Sequence, residues 1–135
     1  MATIFTKIVN GEIPSYKIFE NEHFYSFLDI SPMTKGHTLV IPKKEVDYLF
    51  DIDDAMLSEM IVLSKKIAKA IEKTVECTRV GVMVVGLEVP HAHIHLIPIQ
   101  KESDMLFSNP KLQLSGEEFV AIAKAINEAW ESNRK

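Results

Sequence analysis

Three of the chain's five histidines fall in one short segment, Val89-Pro90-His91-Ala92-His93-Ile94-His95-Leu96-Ile97. Side chains on a strand alternate between faces, so His91, His93 and His95 would share one face and Ala92, Ile94 and Leu96 the other. The apolar face would pack a core. The imidazole face must line something polar, because each ring needs a partner if it is buried. Two chemistries fit such a row. The first is a metal site, since His-x-His on a strand can chelate zinc. On a straight strand, however, the Cα atoms of His91 and His95 lie ~13 Å apart at ~3.3 Å per residue, against metal–nitrogen bonds of only ~2.1 Å. Two of the three could share an ion if a third ligand came from elsewhere, but the sequence offers no thiolate cluster or obvious carboxylate partner. The second chemistry is nucleophilic. A neutral imidazole can attack phosphorus and form a covalent phosphohistidine, splitting one hard step into two. It needs a neighbour to fix its tautomer through the other ring nitrogen, and donors for the phosphate oxygens as charge shifts. Three imidazoles can supply attacker, orienter and donor. Protonation blocks attack, so such an activity falls at acid pH. A profile flat from about pH 5 to 8 would count against limiting imidazole attack.

These side chains need a scaffold, and periodicity supplies a draft of it. Ile4, Phe5, Ile8 and Val9 predict a short N-terminal helical turn closed by Asn10-Gly11. Tyr16 to Glu20 and Phe24 to Asp29 read as two strands joined by the polar turn Asn21-Glu22-His23, which leaves His23 in solvent. Ser31-Pro32 and Lys35-Gly36 mark a loop before a third strand, His37 to Ile41, stopped by Pro42. Met56, Met60, Leu63, Ile67 and Ile71 recur every three or four residues and predict a helix from Asp53 to about Thr74. Asp51, Asp53 and Asp54 fit its positive N-terminal end. Arg79 to Val85 reads as a buried fourth strand. His91 to Ile97 reads as a fifth, ended by Pro98. Residues 101–114 look irregular, with Lys101 solvated. Ser115-Gly116-Glu117-Glu118 is a capping-box signature, opening a helix to about Glu131 with Phe119, Ile122, Ile126 and Trp130 as its stripe. Helices do not alternate regularly with strands, which favours α+β with a mostly antiparallel sheet.

Composition narrows the function classes. The 135 residues are 47% hydrophobic and 25% charged, the balance of one ordinary folded domain. A net charge of −4 argues against gripping a long nucleic acid, which needs a basic face. The longest nearly apolar run, Val80 to Leu87, is far short of the ~20 residues needed to span a bilayer. The N-terminal residues do not read as a signal peptide. The single Cys77 points to a reducing compartment, so the expected location is the cytoplasm. Phosphate-binding loops of the P-loop or dinucleotide type are absent from the sequence.

His91-Ala92-His93-Ile94-His95-Leu96-Ile97 resembles the signature of the histidine-triad (HIT) family, three histidines alternating with apolar residues. Thr3-Ile4-Phe5, Lys7-Ile8, Glu12-Ile13-Pro14, Phe27-Leu28-Asp29-Ile30-Ser31-Pro32 and Gly36-His37-Thr38-Leu39-Val40-Ile41-Pro42-Lys43 follow the order and spacing of its Hint-type branch. The resemblance implies a single domain over 1–135, matched over about 3–99. Residues 100–135 form a divergent tail with a helix at about 116–131. It implies an α+β fold with a five-stranded antiparallel sheet, one long central helix and a C-terminal helix. It also implies a homodimer whose sheets join. The implied activity is hydrolysis of purine nucleotide conjugates at the α-phosphate, through a nucleotidyl-histidine, without metal or other cofactor. His93 would be the nucleophile, His95 a donor to the phosphate, His91 an orienter of His93, and His37 a fourth histidine beside them. Asp29 would bind the ribose hydroxyls with Ile30 alongside, and Phe5, Ile8, Ile13 and Phe27 would form the base pocket. Gly86, Leu87 and Glu88 fall where the family holds phosphate and leaving group. There the sequence departs: an Asn and part of a loop are missing, Leu87 replaces an amide, and Glu88 stands where a small hydroxyl is usual. The resemblance thus keeps the nucleophile and its neighbours but drops part of the ligand grip.

Overall fold

The computed structural model describes residues 2–134, with side chains as far as Trp130; the expected span 1–135 includes residues 1 and 135, which lie outside the described residues. In chain order the elements are α1 (Ile4–Val9), β1 (Lys17–Glu20), β2 (Phe24–Leu28), β3 (Thr38–Pro42), α2 (Asp54–Thr74), β4 (Arg79–Met83), β5 (Ile94–Ile99) and α3 (Gly116–Arg134). Single 3-10 turns lie at Leu49–Asp51 and Glu102–Met105. The five strands form one sheet in the order β1-β2-β3-β5-β4, with every neighbouring pair antiparallel. The expected α+β architecture is therefore present.

Local chemistry accounts for the two long helices. Asp53 is the N-cap of α2, its carboxylate accepting from the Met56 N–H at 2.9 Å, and Asp54 lies in the first turn. Asp51 belongs instead to the preceding 3-10 turn. The capping box of α3 closes in both directions. Ser115 Oγ accepts from the Glu118 N–H, and the Ser115 N–H donates to the Glu118 carboxylate, each at 3.1 Å. Met60, Leu63, Ile67 and Ile71 from α2 meet Phe119, Ile122, Ile126 and Trp130 from α3 in the main core, on the face of the sheet lined by Phe24, Leu28, Val40, Ile94 and Leu96. Trp130 also packs edge-on against Phe19, with ring centroids 4.8 Å apart.

Alternation along the central strands gives the sheet two different faces. Tyr25, Phe27, Leu39 and Ile41 point away from α2 and α3 and join Phe5 and Ile8 of α1 in a second, smaller cluster. Register extends this face across the sheet, since Phe27 pairs with Leu39, Leu39 with His95, and His95 with Met83. One face thus carries the main core. The other carries α1 at one end and a histidine in its central row.

Three sequence expectations change. β4 ends at Met83 and is an edge strand rather than a buried one, with Val82 55% exposed. Its β-branched composition suits a pleated surface and does not report how many neighbours the strand has. The fifth strand begins at Ile94, so His91 and His93 precede the ladder rather than belong to it. It also runs through Pro98 to Ile99. Proline is tolerated there because β3 pairs no further along β5 than Leu96, so no ladder bond is asked of the missing N–H on that side. Thr34 Oγ1 donates to the Pro98 carbonyl at 2.7 Å instead. Among the described residues, no helix is long and apolar enough to cross a membrane.

Candidate active site

His37, His91, His93 and His95 are all buried, and each ring has defined partners. Those partners fix the tautomers. The Met33 N–H donates to His37 Nδ1 at 3.0 Å, so that nitrogen carries a lone pair. Neutral His37 then bears its proton on Nε2 and donates it to His95 Nδ1, 2.9 Å away. His95 in turn holds its own proton on Nε2, free to donate onward. Both rings are kept neutral. Burial first, then the charge of neighbouring His95 if protonated, pushes His37 down to about 3. Burial and neighbouring His93 push His95 down to about 4.

His93 has the opposite arrangement. Its Nδ1 lies 2.7 Å from the backbone carbonyl of His91, and a carbonyl can only accept, so the proton is on Nδ1. Nε2 is left with the lone pair. The His93 and His95 rings meet edge to face, with centroids 4.9 Å apart. A lone pair and an N–H donor are therefore presented side by side by adjacent imidazoles. That pairing suits attack on an electrophile whose oxygens gain negative charge as it is attacked.

His91 orients His93 through its main chain, not through its ring. The His91 ring donates from Nε2 to the Pro42 carbonyl and accepts at Nδ1 from Thr3 Oγ1, both at 2.8 Å. Burial lowers its pKa as well. Thr3 is the N-cap of α1, accepting from the Thr6 N–H at 3.0 Å. Glu45 accepts from the Thr3 N–H and the Thr6 hydroxyl, each at 2.7 Å. This polar node ties α1, the end of β3 and the lead-in to β5 together. It holds Phe5 edge-on to both His91 and His93, at centroid distances of 5.7 and 5.1 Å. Phe5, Ile8 and Phe27 are buried in one cluster with Ile13 packed against it, so the four proposed pocket residues do come together.

Asp29 closes the other end. Its N–H bonds to the His37 carbonyl at 3.0 Å, which sets the two residues side by side at the end of the β2–β3 pair. One carboxylate oxygen accepts from the Ser31 N–H at 2.8 Å. The other lies 3.6 Å from His37 Nε2, a contact with a neutral ring rather than an ion pair. Burial raises the carboxyl pKa. The intervening loop depends on Gly36, which has φ +94°. A Cβ there would also meet Val75 Cγ2 at 2.9 Å.

A carboxylate partner for the histidines thus exists where the sequence offered none. Ligand atoms of Asp29, His37 and His95 lie within 4.8 Å of one another, close enough to gather around one cation. His37 Nε2 and His95 Nδ1 are already hydrogen-bonded to each other, so a cation taking those two nitrogens would have to displace that bond. Ile30 is 69% exposed beside Asp29, and Leu87 is 89% exposed. Gly86, at φ +76°, and exposed Glu88 share the segment with Leu87, outside the contacts that join the histidines.

Sequence reasoning missed Thr3, Thr6, Glu45, Met33 and Phe107. The Phe107 ring stands edge-on to His95 at 5.5 Å. The Thr before the first apolar residue of α1 was a legible N-cap signal. The other residues carry none. Thr6 and Glu45 are joined across 39 residues, and Phe107 meets a ring on another element. Met33 acts on His37, four residues on, through a main-chain N–H that no side-chain type announces.

Residues 10–102 match the family model described as the HIT domain. An uncharacterized HIT-like protein of Borreliella burgdorferi is 37% identical over 132 residues, covering 92% of this chain and 95% of that protein. An adenosine 5'-monophosphoramidase of Saccharomyces cerevisiae is 41% identical over 106 residues, covering 78% of this chain and 67% of that protein. The crystal structure of a Hit-like protein from Bartonella henselae, with an unknown ligand, superimposes with a TM-score of 0.83 at 35% identity, covering 94% of this chain and 95% of that one.

Proposed function

The chain belongs to the HIT domain family, and from that premise we propose that it hydrolyses purine nucleotide conjugates at the α-phosphate through a nucleotidyl-His93 intermediate. The observation that carries this reading is the opposed tautomers of His93 and His95. The similarity to a named adenosine 5'-monophosphoramidase supports the substrate class.

With a phosphoramidate, His93 Nε2 adds to phosphorus as the P–N bond breaks. The leaving nitrogen takes the electron pair and acquires a proton from solvent. His95 Nε2–H donates to a non-bridging phosphate oxygen, and its hydrogen bond strengthens as charge gathers there. The His91 carbonyl stabilises the positive charge that develops on the attacking ring, because it already accepts from Nδ1. Water then adds to phosphorus and releases a proton to solvent, the P–Nε2 bond breaks, and a nucleoside monophosphate leaves with the lone pair restored to His93. Phe5, Ile8, Ile13 and Phe27 form the base pocket, and Asp29, beside Ile30, takes the ribose hydroxyls. The chain works as one domain in a homodimer, joined through the open edge of β4, where Val82, and Val84 and Val85 just beyond the strand, are exposed. The free Cys77 fits a cytoplasmic setting.

The test is intact-protein mass after brief mixing with an adenosine phosphoramidate, with free adenosine monophosphate measured in the same tube. Wild type should yield product, with a nucleotidyl adduct at short times, and His93→Ala should yield neither. Both should survive prior treatment with EDTA. Absence of product in wild type overturns the reading. Loss of product on chelation with recovery on added zinc overturns its metal-free form and makes Asp29, His37 and His95 a cation site.

A further inference from the structure

The segment after β5 returns to the histidine face of its own chain. The Phe107 ring packs edge-on to His95 at 5.5 Å. The Leu112 N–H donates to the Pro32 carbonyl at 2.9 Å, tying the segment to the loop that also holds His37 Nδ1. Between these two anchors stands Lys111. Its ammonium donates to the carbonyls of Phe107 and Asn109 and sits 5.9 Å from the Phe107 ring centroid. An ammonium has three donors, so one remains for a ligand. The other titratable side chains described above are imidazoles and the carboxylates of Asp29 and Glu45, so among the described residues of this site Lys111 is the one ammonium.

We propose that Lys111 is a phosphate-binding and specificity-determining residue. In this reading, its ammonium supplies from the segment after β5 the phosphate grip that the segment before β5 lacks. The proposal rests on the nucleotide-binding reading above and names a further residue in that site. Leu87, where an amide would be expected, is 89% exposed and has no polar side-chain group to offer. Lys111 is instead half-buried. Its charge reaches the site electrostatically. It adds to burial and to His95 in disfavouring protonation of His37, and it opposes the burial that raises Asp29. The implied preference is for ligands that keep a full anionic phosphate next to His95. A nucleoside with no phosphate gains nothing from Lys111.

The experiment is calorimetric titration of the full chain with adenosine monophosphate and with adenosine, in wild type, Lys111→Met and Lys111→Arg. Thermal unfolding verifies that each variant is folded. Lys111→Met should weaken adenosine monophosphate about tenfold or more, the scale of one charge-assisted hydrogen bond. Adenosine affinity should not change, and Lys111→Arg should restore most of the loss. Raising the salt concentration should weaken the monophosphate for wild type and much less for Lys111→Met. Equal affinities for the monophosphate in wild type and Lys111→Met overturn the proposal, as does equal weakening of both ligands, which would mark Lys111 as a loop fastener. Failure of wild type to bind the monophosphate also overturns it. If Lys111-dependent binding is present but no phosphoramidate is turned over, the hydrolase reading fails while the phosphate site stands. Turnover with a Lys111-independent affinity gives the reverse.

Discussion

The neutral His37 and His95 pair makes folding stability depend on pH in a window that carboxylates hardly touch. An imidazole in the unfolded chain takes up a proton below roughly pH 6.5. In the folded chain His37 resists protonation down to about 3 and His95 down to about 4. Between those limits the unfolded state binds more protons, so unfolding becomes easier as pH falls, and the stability is fully present only above the unfolded value. Each such group contributes a slope of about 1.2 kcal/mol per pH unit between pH 6 and pH 5. Replacing His37 with Gln removes one titration but keeps an N–H in place to donate to His95 Nδ1. The slope of unfolding free energy against pH should therefore fall by about 1.2 kcal/mol per pH unit in His37→Gln, whatever the variant's absolute stability. His91, whose pKa is also lowered, adds to the slope, and Asp29, whose pKa is raised, opposes it. Both are shared by the two proteins and cancel in the difference. Urea unfolding at closely spaced pH values, with constant m-value, measures it. Equal slopes, or a wild-type stability flat across this window, would refute the assignment of a neutral, buried His37.

Two further outcomes follow from the polar node and the open edge. Thr3→Val should cost about 1 kcal/mol through loss of the α1 cap, and should raise KM more than it lowers kcat because Phe5 loses its tether while His93 keeps its carbonyl partner. Urea unfolding and phosphoramidate kinetics check the two halves. Val82→Lys places a charge on exposed β4 and should shift the chain from dimer to monomer in light scattering at micromolar concentration, with its unfolding midpoint lowered only if the interface also stabilises the fold.

Legibility tracked the range of the interactions involved. The cap and stripe of α3 rest on neighbours within a few turns, and residues 115–130 alone announced them. The alternation of His91, His93 and His95 against Ala92, Ile94 and Leu96 was equally local, and it survives even though the ladder begins only at Ile94. What could not be read was partnership across the chain. His91 binds Thr3 and the Pro42 carbonyl, so its ring serves the scaffold, although its position in the row gives it the same standing as its neighbours. The edge position of β4 is hidden for the same reason, because a valine-rich run looks alike with one neighbouring strand or two. Phe107 and Lys111 lie in a stretch without periodicity, and only the return of the chain toward Pro32 brings them to the histidines.

The two tautomers at the centre of the site are dictated by main-chain groups, the Met33 N–H and the His91 carbonyl. Side chains can drift at positions 33 and 91 without erasing either instruction. At 33 only proline removes the amide hydrogen, and at 91 no amino acid lacks the carbonyl. The proton arrangement is therefore inherited with the path of the backbone. A descendant that lost the His91 ring could loosen its scaffold and still tell His93 which nitrogen to leave bare.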